Sequence, residues 1–461
     1  MSGRQRLAAS VAVIVLLAIA CAAALAWHPA IAPVSAPARS TFDTGLVKRG
    51  AQLAAAGNCI GCHAVDENSA FSGGRAIPTP FGTIHSTNIT PDPQTGIGQW
   101  SQAAFERALR EGVSRDGHML YPAFPYDHFT RLHDDDVKAL YAFFMTRDPV
   151  VAQTPPNDLM FPLGFRPLVA GWNLLFLNKQ PAAADPAQNA EWNRGAYLAD
   201  ALAHCSACHS PRNALGAEVA KQRFDGGQAE GWYAPAINAH SPSPQPWTVD
   251  ALTAYLRTGI AADHAIAGGP MQGVVAGLAK ADERDVRALA VYVQSLMGAP
   301  TAEQQARAKA SMDRAQGPLA MARAASAGAG ASATAIETPA SATLANTAKA
   351  ATDSATLTLG GAVYAATCAS CHDVGRTVSS NGALRLPLAV AVYEPDPSSL
   401  IRIIRDGIHP LPLEAGRLMP GFAGTLTDEQ VTALLAYLRH QAADLPPWPD
   451  AATFVQKAKS P

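Results

Sequence analysis

Cys205-Ser206-Ala207-Cys208-His209 stands ten residues after Gly195, at the end of a segment that opens Gly195-Ala196-Tyr197-Leu198. The same arrangement occurs twice more. Gly50-Ala51-Gln52-Leu53 leads to Cys59-Ile60-Gly61-Cys62-His63, and Gly361-Ala362-Val363-Tyr364 leads to Cys368-Ala369-Ser370-Cys371-His372. Each unit closes on one further pattern: Val137-Lys138-Ala139-Leu140-Tyr141-Ala142-Phe143, Val286-Arg287-Ala288-Leu289-Ala290-Val291-Tyr292 and Val431-Thr432-Ala433-Leu434-Leu435-Ala436-Tyr437. Apolar residues recur there at helical spacing, so each closing segment has a face to bury. Asp134 to Asp136, Asp282-Glu283 and Asp428-Glu429 precede the three copies, where negative charge suits the positive end of a helix dipole. A unit repeated at this length is one supersecondary structure used three times. The chain therefore reads as all-α, with three tandem helical domains.

The motif inside each unit carries the chemistry. Two thiols three positions apart lie on one side of a helical turn and can form thioethers with both vinyl groups of one heme. The adjacent histidine then faces the iron as its proximal ligand. Cys59, Cys62, Cys205, Cys208, Cys368 and Cys371 are thus expected to attach three heme c groups, with His63, His209 and His372 on iron. A zinc site would need four ligands, and each cluster offers three. The domains are accordingly read as cytochrome c domains.

The sixth ligand decides between carrying electrons and binding small molecules, and methionine opposite histidine is the electron-carrier pairing. Met419, in Leu418-Met419-Pro420-Gly421-Phe422, lies 12 residues before Val431, and Met271, in Gly269-Pro270-Met271, lies 15 before Val286. Both stand in a loop ahead of the closing helix, beside a proline that stiffens it. In the first unit that spacing falls near Phe124, 13 residues before Val137, and phenylalanine cannot ligate iron. Met119, five residues upstream, is the expected ligand, with His118 and Met145 as rivals. Thr87 to Thr90 and Gly96 to Trp100 are either propionate partners or a plain polar turn. His85, His128, His133, His204, His240, His264, His409 and His440 show no pairing in the sequence.

Of 7 cysteines only Cys21 falls outside the motifs, so no pair remains for a structural disulfide. Lys+Arg 35 against Asp+Glu 37 leaves a formal charge of -2, without the basic excess of a nucleic-acid binder. After Arg4 and Arg6 an uncharged run extends from Leu7 to Trp27, long enough to span a bilayer core. The positive flank precedes it, which places the remainder outside the cytoplasm. An uncleaved anchor leads here. A signal cleaved at Ala24-Leu25-Ala26 and lipidation at Cys21 are the alternatives. The expected plan is an anchor or signal with tether over 1–43, then a first domain over 44–148. An ordered strap over 149–188 and a second domain over 189–298 come next. An Ala-rich linker over 299–356, flexible or weakly helical, tethers a third domain over 357–443, and a tail covers 444–461.

These motifs, with Asn88-Ile89-Thr90-Pro91-Asp92 and Leu120-Tyr121-Pro122-Ala123-Phe124-Pro125-Tyr126, make the chain resemble a known family. It is similar to the three-heme cytochrome c subunits of bacterial membrane-associated dehydrogenases, from about Gly45 to Gln441 outside the Ala-rich linker. The resemblance implies an all-helical fold and a place on the periplasmic side of the inner membrane. It also implies a dehydrogenase catalytic subunit as electron donor, and ubiquinone or a terminal oxidase as acceptor. One branch serves quinoprotein alcohol dehydrogenases or flavoprotein sugar dehydrogenases, and its first loop reads Ala-Met-Pro-Tyr with that Met on iron. Phe124 departs from this and tilts the reading toward the branch serving molybdenum hydroxylases of aldehydes or N-heterocycles. No paired carboxylates, nucleophile–base pair or nucleotide loop stands out. The chain is therefore read as an electron-transfer subunit rather than a catalyst. The rivals are a heme enzyme with an open first site and a stand-alone cytochrome feeding an oxidase directly.

Overall fold

Three glycines, one per repeat, let a first helix and a closing helix cross in direct backbone contact. A Cβ built on Gly50 would lie 2.0 Å from the Ala139 carbonyl oxygen, one on Gly195 2.0 Å from that of Ala288, and one on Gly360 2.1 Å from that of Ala433. In each case the next contact along the closing helix is four residues on, at Phe143, Tyr292 or Tyr437. Any side chain at these glycines would push the helices apart. The computed structural model describes residues 3–66, 69–317, 341–373, 383–409 and 419–458, apart from some side chains of the first helix and those of 341–352. It corrects one register: the third repeat crosses at Gly360, not at Gly361.

In chain order, α1 is Gly3–Ala26, α2 Thr44–Ala56, α3 Cys59–His63, α4 Gln102–Glu111, α5 Asp134–Met145, α6 Leu168–Phe176, α7 Ala190–Tyr197 and α8 Ser206–His209. Then come α9 Val249–Thr258, α10 Pro270–Leu278, α11 Glu283–Met297, α12 Ala302–Ala315, α13 Ser341–Thr367, α14 Ala369–His372, α15 Ser398–Asp406, α16 Asp428–Ala443 and α17 Ala451–Lys457. Short antiparallel strands join the loops. β1 (Ala76–Thr79) pairs with β2 (Gly82–His85), β2 with β3 (Asp158–Leu159), β4 (Gly227–Ala229) with β5 (Trp232–Ala234), and β6 (Ile260–Ala261) with β7 (Ala265–Ile266). Among the described residues no helix is long and apolar enough to cross a membrane, a statement that leaves out the undescribed side chains of α1.

The chain divides into two compact units. The first comprises Met1–Ala207, Arg212–Ala220 and Gly277–Tyr292; the second comprises Cys208–Pro211, Lys221–Ala276 and Val293–Pro461.

In the first unit α2 packs on α5, and Leu53, Val137, Ala139, Leu140 and Phe144 are buried around that crossing. α7 runs on through a π-helical turn, Leu198–Leu202. The ten residues from Gly195 to Cys205, against nine from Gly50 to Cys59, are accommodated by such a turn, which absorbs one extra residue in a helix. The segment between the first two repeats is ordered. β3 extends the β1–β2 sheet, Tyr126 donates to Asn173 Oδ1 at 2.6 Å, and Trp172 Nε1 donates to the Leu215 carbonyl at 3.1 Å.

In the second unit Tyr364, Val392, Ile401, Leu434, Leu435 and Val455 form one core, with Trp448 at its edge. Within the Ala-rich stretch, Ala302–Ala315 is a helix with a reciprocal Thr301/Gln304 capping box, and its Ser311 and Ala315 are buried. The cap and one small-residue face stabilise a segment whose composition alone suggests little order. Residues 318–340 of that stretch lie outside the described residues. The third repeat, expected to hang on its linker, is hydrogen-bonded within this unit to residues of the second: Ser399 to Tyr233, Arg402 to Gly231, Val390 to His264. The linker's composition carries no trace of these contacts.

Candidate functional site

Each Cys-x-x-Cys-His motif lies on one short helical turn that ends on its histidine: α3 holds the whole first motif, and α8 and α14 begin at the residue after Cys205 and Cys368. None of the six cysteines is joined to another in a disulfide. Burial, with the neighbouring Cys62 adding to it, pushes the Cys59 thiol up to about 12.

The three histidines are held in one way. His63 Nδ1 lies 2.7 Å from the Thr87 carbonyl oxygen, His209 Nδ1 2.6 Å from that of Pro235, and His372 Nδ1 2.9 Å from that of Leu384. A carbonyl can only accept, so Nδ1 carries the proton and Nε2 is left with its lone pair. Burial lowers the affinity of all three rings for a second proton, against the opposing pull of the carbonyl. A neutral imidazole with Nδ1 fixed from behind is what a metal-ligating histidine requires. Two thiols and one such ring fit covalent heme with iron on Nε2. No side-chain signature marks the three carbonyls, so sequence reasoning could not find them.

Two of the expected methionine ligands occupy matching places in their repeats. α4 ends at Gly112 and α15 at Gly407, both with positive φ. The residue after each glycine bridges to a methionine: Val113 to Met119 and Ile408 to Met419. Met419 is half-buried, and Leu418 lies outside the described residues. Met119 is buried against Val169 and Ala170 of α6. Met271, expected in a loop, is instead the second residue of α10 and half-buried, because Pro270 suits the first position of a helix. Phe124 packs on Tyr126 and Phe129, with ring centroids 6.3 and 5.5 Å away. His118 pairs with Asp116 at 2.5 Å, and Met145 is buried in the α5 core.

β5 holds the second site from two directions. Pro235, the residue after Ala234 at its end, supplies the carbonyl on His209. Trp232 at its start lies over Gly269, where an added Cβ would meet the indole at 2.3 Å, two residues before Met271. The polar turn of the first repeat bonds largely to itself and to the chain beyond it. Asn88 Oδ1 accepts from Thr90, and Asn88 Nδ2 donates to the Val150 carbonyl at 2.7 Å.

Two charged groups escaped the sequence reading. His128 is buried, with Nε2 2.7 Å from Glu218 and Nδ1 2.9 Å from the Asp200 carbonyl. Arg194 forms a two-pronged bond to Asp285 at 2.7 and 2.9 Å, Arg49 reaches Asp285 at 2.9 Å and Asp136 at 3.5 Å, and Tyr197 donates to Asp136 at 2.8 Å. The signal for this second group was present: Arg-Gly opens, and Asp-Val closes, the first two repeats alike.

Known proteins share this arrangement of sequence. The family model described as cytochrome c matches residues 47–148, and the one described as cytochrome c oxidase, cbb3-type, subunit III matches 355–438. The chain is 34% identical to the fructose dehydrogenase cytochrome subunit of Gluconobacter japonicus, over 87% of this chain and 80% of that one. It is 36% identical to the gluconate 2-dehydrogenase cytochrome c subunit of Pantoea cypripedii, over 86% of each. It is 43% identical to a nicotinate dehydrogenase subunit of Pseudomonas putida over 95% of this chain, and spans 34% of that longer protein.

Proposed function

We propose, since this chain belongs to the family of cytochrome c subunits of dehydrogenases, that it carries three covalently attached heme c groups and relays electrons from a dehydrogenase catalytic subunit to ubiquinone or a terminal oxidase. The observation that carries the reading is the threefold recurrence of a Cys-x-x-Cys-His turn whose histidine rests its Nδ1 on a backbone carbonyl. Heme supplies one-electron redox chemistry. The protein supplies orientation, axial ligands and burial, which together set each potential. Cys59 and Cys62, Cys205 and Cys208, and Cys368 and Cys371 attach the groups, and His63, His209 and His372 present Nε2. Met119, Met271 and Met419 complete the iron sites. The matching bridges after Gly112 and Gly407 favour Met119 over His118, which is engaged with Asp116. Each repeat, over 44–148, 189–298 and 357–443, holds one heme.

The donor is a hydroxylase of the molybdenum class acting on aldehydes or N-heterocycles. Phe124 in place of the methionine of the alcohol branch supports this, and nicotinate in the name of a 43% identical relative is such a heterocycle. The chain works on the periplasmic side of the inner membrane, held by α1. The 24 residues of that helix extend about 36 Å, more than a bilayer core.

A pyridine hemochrome assay on the purified chain tests the heme count, and three per chain is expected. Gentle solubilisation, purification through a C-terminal tag and assay for molybdenum tests the donor. A co-purifying flavoprotein or quinoprotein without molybdenum would move the chain to the sugar or alcohol branch.

A further inference from the structure

Residues 159–177 join the first two repeats and carry one charged side chain, Arg166. That charge is turned inward, donating to the Met119 carbonyl at 2.8 Å with its guanidinium over the Tyr121 ring. Val169 and Ala170 are buried, but the larger apolar side chains are exposed: Phe161 by 98%, Leu174 70%, Leu175 66%, Phe165 63% and Leu168 47%. Exposed apolar side chains crowded on one short segment mark a binding face.

The neighbouring helix says what covers it. α6, which carries Leu174 and Leu175, packs beside α1, and Ala26 at the end of α1 joins the Met119, Val169 and Ala170 cluster. The chain leaving α1 is pinned to the first repeat. Arg107 donates to the Pro29 carbonyl at 2.7 Å, the Ile31 amide to the Arg115 carbonyl at 2.8 Å and the Val34 amide to the Gln99 carbonyl at 3.0 Å. The exit of α1 is thus fixed next to α6, and the residue that follows α1 is the exposed Trp27, the residue type that favours a membrane–water boundary. Where the uncharged run of α1 from Leu7 onward enters a bilayer, an apolar surface fixed beside its end meets the same lipid.

We infer that the Met160–Phe176 segment is a second membrane contact, lying in the lipid interface next to α1 with Phe161, Phe165, Leu174 and Leu175 inserted. The inference rests on the reading of α1 as an anchor. The two contacts together fix the tilt of the first unit at the membrane, as an interfacial helix does with its apolar face in the headgroup boundary.

The full-length holoprotein with a photo-crosslinking benzophenone residue at position 161, 175 or 284 is reconstituted into phosphatidylcholine vesicles with a minor share of phosphatidylglycerol. Arg284 serves as an exposed control on the same unit. Flotation with the vesicles, and lipid adducts at 161 and 175 roughly tenfold above those at 284, is the expected result. Flotation without that excess overturns the second contact and leaves the anchor standing. Failure to float overturns both. In native membranes, an adduct of residue 161 with a protein subunit in place of lipid assigns the surface to that subunit and overturns the proposal.

Discussion

Two seams join neighbouring repeats, and they are built from different chemistry. The seam of the first and second repeats is a charged network from matching positions, Arg49 and Arg194 before the crossing glycines, Asp136 and Asp285 before the closing segments. The seam of the second and third repeats uses unlike positions. Ser399 accepts from the Tyr233 amide at 3.1 Å and donates to its carbonyl at 2.8 Å, Arg402 donates to the Gly231 carbonyl at 3.0 Å, and Gln272 donates to the His409 carbonyl at 2.6 Å. Leu359 and Gln430 stand in the third repeat where Arg and Asp stand in the other two. A duplicated unit can therefore pair with its copy through equivalent surfaces once. A third copy, having lost the charges, attaches by a different face.

The contrast can be broken at either seam. Asp285→Ala leaves half-buried Arg49 and Arg194 to share the longer contacts to Asp136, and it should cost about 3 kcal/mol in denaturant unfolding of the holoprotein. A loss under about 0.5 kcal/mol would reduce the network to a surface feature. Ser399→Ala strands an amide and a carbonyl of β5 and should cost about 2 kcal/mol. Because β5 also holds His209 and lies against Gly269 just before Met271 at the start of α10, the same variant should, on the proposed assignment of hemes, disturb an iron–methionine absorption band of the second repeat while sparing the first.

The two seams should also respond oppositely to pH. Burial works against the Asp285 carboxylate, but bonds and charge from Arg194 and Arg49 hold its pKa below the ordinary value. A lowered carboxylate gives stability that is complete above its unfolded value of about 3.9 and is lost as pH falls through the native one. Glu394 is buried near Tyr233, Tyr255 and Asp396, and burial pushes it up to about 8. Its contribution is complete below about 4.3 and is lost as pH rises through the native value. Glu394→Gln should remove the loss that builds between about pH 4.3 and about pH 8 in thermal melts and leave the one at lower pH; an unchanged slope over that window would clear Glu394 of any part in it. The smallest effect is expected from Gln272→Ala, about 0.5 kcal/mol, since that bond is exposed.

The repeat frame was legible because helix crossings need particular side chains. Glycine followed by the Val-x-Ala-Leu pattern marks the crossing in every copy, and only the doubled Gly360-Gly361 misled the register. The motif histidines were legible for the same reason. The rest was hidden where the backbone does the work: the Thr87, Pro235 and Leu384 carbonyls, the strand pairing of β5, the bridges that align Met119 with Met419. Of the acidic residues read as dipole partners, Asp136 stands in the first turn of its helix and also binds arginine, and Asp285, which that reading left out, does the same, because two copies of the same face meet.

The carbonyl behind each motif histidine has a consequence for speed. A ring gripped from its far side by the main chain would be kept from tilting or sliding if an iron before it changed valence. With heme bound, that hold would keep the nuclear rearrangement accompanying an electron small. The grip itself lies in the backbone, where exchange of a side chain cannot easily reach it.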